Sequence, residues 1–362
     1  MKTKKIIATA VLTCLTIGTA IAQSFVFDPP RYTCYKVEKK IAVDGVMEEQ
    51  EWKNAPWSDA FVDIQGVESG KTPTYKTRVK MLWDKQNLYL AAELIEPHLW
   101  ATLTERDAHL YMDNDFEFFI DPDGDTHSYF EFEINALGTE WDLFLTKPYR
   151  YRGTSLDGFN IKGLETAIQL YGTCNDPSDI DQKWTLEIKI PFSALNVGVK
   201  DDTQWRMNFS RVEWPKYEII ANSYQKKAGE SGVGNEENWV WAPTGIIDIH
   251  LPEHWGFVQF TDKTTGNPTT DFQWNNDEET KFALRQLLYL EQAYFKKNGF
   301  FTKDLKEVGW ETLKKEMPKK NVSDLSIQPI IYPAASVVKI SAQAKSGKWW
   351  SILNDSRVFE GK

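Results

Sequence analysis

Tyr111 to Asn135 reads YMDNDFEFFIDPDGDTHSYFEFEIN, and the alternation in this stretch decides the fold class. Side chains alternate across a strand. Phe116, Phe118 and Ile120 therefore share one side of a first strand, and Phe130, Phe132 and Ile134 share one side of a second. Asp123-Gly124 between them is a tight-turn signal. A register centred near Asp125 makes the three apolar pairs face each other, and it also sets Glu117 opposite Glu133 and Asp115 opposite Asn135. The spacing predicts a hairpin that buries its phenylalanines and carries Asp115, Glu117, Glu131, Glu133 and Asn135 on its outer side.

Like charges directly opposite each other destabilise a strand pair by up to about 1 kcal/mol. A hairpin that keeps these acids needs compensation from a cation, a shared proton, ligand hydroxyls, or a basic side chain. Arg106, Lys147, Arg150, Arg152 and Arg211 are the basic candidates.

Working outward, period two persists from Ile41 to about Phe260. Thr77–Trp83, Asn87–Glu93, Trp141–Thr146, Trp184–Ile190 and Trp205–Glu213 read as further strands, punctuated by Gly, Pro, Asn and Asp. Many short strands without intervening helical periods predict an all-β fold: an antiparallel β-sandwich of immunoglobulin-like or jelly-roll type. After Asp262 the pattern changes. Thr264–Thr270 has a linker composition, and 277–297 reads as a helix that Gly299 stops. Asp304–Met317 reads as a shorter helix; Ser326–Ile331, Val337–Gln343 and Lys348–Leu353 read as strands. Pro329 weakens the first of these or places it at an edge. The expected organisation is a leader over 1–22, a sandwich over 23–265, and a C-terminal α-helical plus short-strand appendage over 266–362.

The leader reading rests on Lys2, Lys4 and Lys5, the apolar run Ile6–Ile21, and the small-x-small site Ala20-Ile21-Ala22. It predicts a periplasmic or secreted protein with no membrane span after signal removal. An exported chain retains Cys34 and Cys174, which can close one disulfide; sequence alone does not fix whether they meet. The net charge of −10 argues against nucleic acid as a partner, since that contact needs basic patches. Fifteen tryptophans exceed what a core of this size requires. Aromatic, acidic and exported is a profile that suits sugar binding, because a ring stacks on a sugar's C–H face while hydroxyls need polar partners.

The motifs resemble the family 9 carbohydrate-binding module. Val43-Asp44-Gly45 followed by Trp52 is similar to its entry motif. Val79–Leu90 is similar to its second hairpin, Asn114–Asp121 to its acidic strand, Lys183–Pro191 to a later strand, and Trp255-Gly256 to its closing aromatic-Gly. The likeness spans about 41–260, and it is closer still to the exported Bacteroidetes group called carbohydrate-binding family 9-like. In that family two aromatics clamp a sugar and polar residues take its hydroxyls. The resemblance places the acidic sugar contact at Glu117, a clamp aromatic near Tyr111, and a charge-reversed partner at Glu133. Trp239 and Trp241 lie in the region of the second clamp. The ligand-binding set expected is Tyr111, Asp115, Glu117, Glu131, Glu133, Asn135, Trp141, Trp239 and Trp241, with an oligo- or polysaccharide as partner.

Asp121-Pro122-Asp123-Gly124-Asp125 offers alternating oxygen ligands of the kind calcium takes, but Phe132 stands where an EF-hand needs its twelfth-position Glu. Asp121, Asp123 and Asp125 are the metal candidates and calcium the cofactor. The alternative is that Asp-Gly is only a hairpin turn. No nucleophile elbow or phosphate loop is present, and no catalytic residue is assigned. Two alternative functions stay open: a glycoside hydrolase using the paired carboxylates Glu117 and Glu133, and an envelope protein whose appendage mediates a non-sugar interaction.

Overall fold

The computed structural model describes residues 27–227, 235–266, 271–316, 329–334 and 336–362. The expected leader, the end of the linker at 267–270, Met317, and Ser326–Gln328 of one expected strand lie outside these residues.

Fifteen strands and one short helix build the first part: β1 (Arg31–Lys36), α1 (Gln50–Asn54), β2 (Val62–Asp63), β3 (Thr77–Trp83), β4 (Asn87–Ile95), β5 (Asp115–Asp121), β6 (Tyr129–Asn135), β7 (Glu140–Leu145), β8 (Ser155–Leu156), β9 (Glu165–Tyr171), β10 (Lys183–Pro191), β11 (Gln204–Glu213), β12 (Tyr217–Ile220), β13 (Ser223–Lys226), β14 (Glu237–Val240) and β15 (Gly256–Thr264). The hydrogen-bonded order is β8-β7-β6-β5-β11-β15-β1-β3-β4-β10-β9, with β14 and β2 branching from β11. The path folds over on itself into a sandwich. Phe116, Phe118, Ile120, Phe130, Phe132 and Ile134 of β5 and β6 share one core with Leu88, Leu90, Leu186 and Ile188 of β4 and β10. Burying each such side chain contributes about 1.5–3 kcal/mol. The β5–β6 register is the predicted one, with Glu117 against Glu133 and Asp115 against Asn135. The pairing is antiparallel except at β1, which runs parallel to both β15 and β3 and so joins the two halves.

Two glycines show why the flanking motifs have their form. Gly45 sits at φ +84°, and a Cβ there would lie 2.7 Å from the Ile168 backbone carbon. The tight turn lets the Asp44 and Gly45 amides donate to one Glu187 oxygen at 2.9 and 2.8 Å. At Gly256 a Cβ would lie 2.3 Å from the Trp241 ring, so the closing strand passes that ring only without a side chain.

The appendage contains α2 (Asp277–Asn298), α3 (Trp310–Glu316) and an edge-to-edge sheet of β16 (Ile330–Pro333), β17 (Val338–Gln343), β18 (Trp349–Leu353) and β19 (Val358–Glu360). Phe282, Leu284, Leu287 and Leu288 of α2 pack on Val338, Ile340 and Ile352 in a core of their own. Among the described residues no helix is long and apolar enough to cross a membrane.

Cys34 and Cys174 are both free, which corrects the expected bridge. Cys34 lies on β1 and Cys174 beyond β9, four strands along the sheet.

Candidate functional site

The outer side of the β5–β6 hairpin divides into two halves. Near the turn, Phe119 and Tyr129 are covered by Leu143, Leu145 and Trp255 in an apolar cluster. Toward the open end lie Asp115, Glu117, Glu131 and Glu133, and all four are buried. The alternation placed these acids on the outer side of the hairpin. The structure instead covers it, with the turn Leu110–Met112 lying against β6.

Three of the four acids accept from neutral donors. Asp115 Oδ1 accepts the Val212 amide at 3.1 Å, and Glu133 Oε2 accepts the Tyr111 amide at 2.9 Å. Ser210, paired with Glu117 across β11 and β5, donates to Glu117. Carboxylate oxygens of Asp115, Glu117 and Glu133 lie within 4.8 Å of one another. Burial pushes the Glu117 carboxyl up to about 7. Burial, and then the neighbouring carboxylates, push Asp115, Glu131 and Glu133 well above the ordinary carboxylate range.

None of the five basic side chains proposed as compensators reaches this row. Arg106 pairs with Glu140 and Asp142, Lys147 with Asp355, Arg150 with Glu253, and Arg211 with Glu96 and Glu213. Arg152 is exposed, at the end of a turn. Among the described residues no ion pair involves any of the four acids. Asp115 Oδ2 and Glu131 Oε2 are buried with no hydrogen-bond partner, as is Trp141 Nε1 on the strand opposite Glu133.

An aromatic edge borders the row. His109 lies 4.9 Å from Trp141 and 5.9 Å from Tyr111, and Tyr111 lies 6.4 Å from Trp141. Trp141 is 7% exposed, while His109 is open to solvent. The structure thus brings Tyr111, Trp141, Asp115, Glu117, Glu131 and Glu133 together. Trp239 and Trp241 it does not bring: both are buried in the sandwich core, where Trp241 packs on Phe209 and Trp239 on Tyr75. Asn135 borders the row, but its amide is committed to the β6–β7 turn, donating to Leu103 O at 2.8 Å and accepting from Leu137 and Thr139. His109 and Ser210 belong to the site and were not found from sequence. The alternation in Gln204–Glu213 gives the face of Ser210, but nothing local signals that β11 pairs with β5.

The Asp121–Asp125 loop looks different. Asp121 accepts the Gly124 and Thr126 amides at 2.9 Å each, and Asp125 accepts the His127 amide at 2.7 Å and Arg357 at 2.9 Å. Its carboxylates also lie within 4.8 Å of one another, but all three carry partners, Asp123 accepting the Asp125 amide. A cavity of about 430 Å³ opens beside this loop, between Asp123, Gln204 and Arg206 of the sandwich and Gln273, Glu278 and Lys281 of the appendage.

Residues 43–213 match the family described as carbohydrate family 9 binding domain-like. The resemblance carried by the motifs therefore holds over this stretch, which includes the whole acidic row except the loops that border it beyond β11. Among solved structures, the chain is similar to a provisionally named carbohydrate-binding protein of Bacteroides uniformis, with 16% identity over 64% of this chain and all of that one, TM-score 0.48. It is similar also to a family 9 carbohydrate-binding module of Caldicellulosiruptor kristjanssonii. In its cellotriose complex the identity is 15% over 67% of this chain, and in its glucose complex 16% over 65%, each covering that whole module with TM-score 0.41. No curated protein matches.

Proposed function

We propose that this chain captures an oligo- or polysaccharide at the open end of the β5–β6 hairpin. The rings of His109, Tyr111 and Trp141 take the C–H face of a sugar, and the acidic row takes its hydroxyls. The observation that carries this reading is the meeting of that aromatic edge with a row of buried polar groups, in which Asp115 Oδ2, Glu131 Oε2 and Trp141 Nε1 have no partner. A hydroxyl both donates and accepts, so it matches an indole N–H and a carboxyl in either protonation state. Buried polar atoms left unpaired cost about 1–3 kcal/mol each, and a ligand that satisfies them recovers that cost. The family match over 43–213 supports the same class of ligand.

In this reading residues 1–22 direct the chain to the periplasm or beyond. Capture there serves polysaccharide breakdown carried out by other proteins. The test is a glycan array with the full chain, followed by titration of the best binder. Tyr111→Ala and His109→Ala are expected to weaken binding by ~10-fold or more, as loss of an interface aromatic does. Binding to no glycan, or unchanged affinity in both variants, would sink the proposal.

A further inference from the structure

We propose that Asp115, Glu117 and Glu133 hold a calcium ion, with Glu131 beside it as a further oxygen donor. The row is more than an acidic cluster, because two of its members present buried oxygens that no protein group satisfies. Asp115 is 1% exposed and Glu131 5%, and Asp115 Oδ2 and Glu131 Oε2 have no hydrogen-bond partner. Glu117 is the carboxylate that acts most strongly on each of them. The Val212 amide takes Asp115 Oδ1 and leaves Oδ2 without a partner, and the Tyr111 amide takes Glu133 Oε2.

Charge and distance agree with this assignment. A buried carboxylate is normally paired, and here no described Arg or Lys forms an ion pair with any of the four. The nearby Arg211 and Arg106 are committed to other acids. Calcium binds oxygen at about 2.3–2.6 Å, so ligands on opposite sides of the ion stand up to about 5 Å apart. The three carboxylates fall within that span at 4.8 Å. The cluster contains no His or Cys, which excludes the donor set of zinc or copper. Magnesium retains several waters and uses one or two carboxylates, whereas a protein cage of three or four suits calcium. The Asp121–Asp125 loop is the weaker candidate, since backbone amides and Arg357 already occupy its carboxylates.

The metal site rests on the same row as the saccharide reading: an ion there takes the free oxygens of Asp115 and Glu131, a sugar then meets the row through the ion, and the metal is tested without any glycan. The full chain, stripped with EDTA, is titrated with calcium chloride alone by calorimetry and followed by thermal unfolding. One ion per chain is expected, with Tm raised by about 4 °C at a hundredfold excess over Kd. Glu117→Gln and Asp115→Asn each weaken calcium by at least ~10-fold, because affinity follows the number of charged ligands. Asp125→Asn leaves it unchanged. Both row variants remove a buried charge without changing shape, and circular dichroism checks that they fold. The inference is overturned if the folded wild-type chain takes up no calcium at millimolar concentration, if both row variants bind as the wild type does, or if only Asp125→Asn abolishes binding. Calcium bound without any glycan ligand would leave the metal site standing and remove the saccharide reading; the reverse result would do the opposite.

Discussion

The β5–β6 hairpin has two ends, and they treat charge in opposite ways. At its turn, where the appendage docks, basic side chains meet the acids in ion pairs, although Asp121 is held by backbone amides alone and Arg206 Nε, Arg285 Nε and Nη1 and Glu253 Oε2 have no partner. Arg206 meets Glu278 at 3.5 Å, Glu278 also meets Lys281, and Arg357 meets Asp125. Close by, Arg150 with Tyr289 holds the Glu253 carboxyl down to about 2 although burial opposes it. At the open end four buried acids have neutral donors at most, and their carboxyls move up. Arginine and lysine are placed against acids at the seam, whereas among the described residues none forms an ion pair with the row. The difference marks the seam as structural and the open end as the place where something from outside completes the charge balance.

The sharpest way to break this contrast is to remove a partner at the seam. Arg206→Met removes one of the cations around buried Glu278, leaving Lys281 and Arg285, and is expected to cost about 3 kcal/mol in chemical denaturation. A neutral result would mean that the seam is as tolerant as the row.

The opposite sign is expected at the row. The folded carboxyl of Glu117 is raised from 4.5 to about 7, so the folded state binds more protons than the unfolded one between these values. Stability from this group is complete below about pH 4.5 and is lost as pH rises to about 7. Glu117→Gln cannot ionise. In EDTA and without glycan it should be more stable than the wild type above pH 7, by about 3 kcal/mol, and the advantage should vanish toward pH 4.5. Paired denaturation curves at both pH values check this; a variant less stable than the wild type at high pH would show that the carboxylate is paired after all.

Two smaller effects sharpen the boundary. Tyr111→Ala should lower glycan affinity by about 1.4 kcal/mol or more while leaving thermal stability nearly unchanged, since Tyr111 is only partly buried. Arg357→Ala removes an ion pair whose arginine is 55% exposed, and a stability change below about 1 kcal/mol is expected in the same denaturation assay.

Much of the hairpin is legible from local pattern. Alternation placed Phe116, Phe118 and Ile120 inside, and turn chemistry at Asp123-Gly124 set the register, because both depend on neighbours in sequence. Burial of the acids was not legible. It requires the turn Leu110–Met112 and strand β11 to lie against the hairpin, and strand order is set by contacts far apart in the chain. The same limit separates the tryptophans. Trp141 reaches the row because β7 continues the sheet from β6, while Trp239 and Trp241 share its composition signal and turn into the core. Cys34 and Cys174 were countable, but only the sheet order shows that four strands separate them.

The sequence by itself determined a two-sided sheet with apolar residues inward and acids outward, because a strand's period is a local property of its backbone. The tertiary structure alone decided that these acids are enclosed, that the nearby arginines are spent on other partners, and that an aromatic edge closes one side. Each of these depends on which strands become neighbours, and that is settled by the packing of the whole chain.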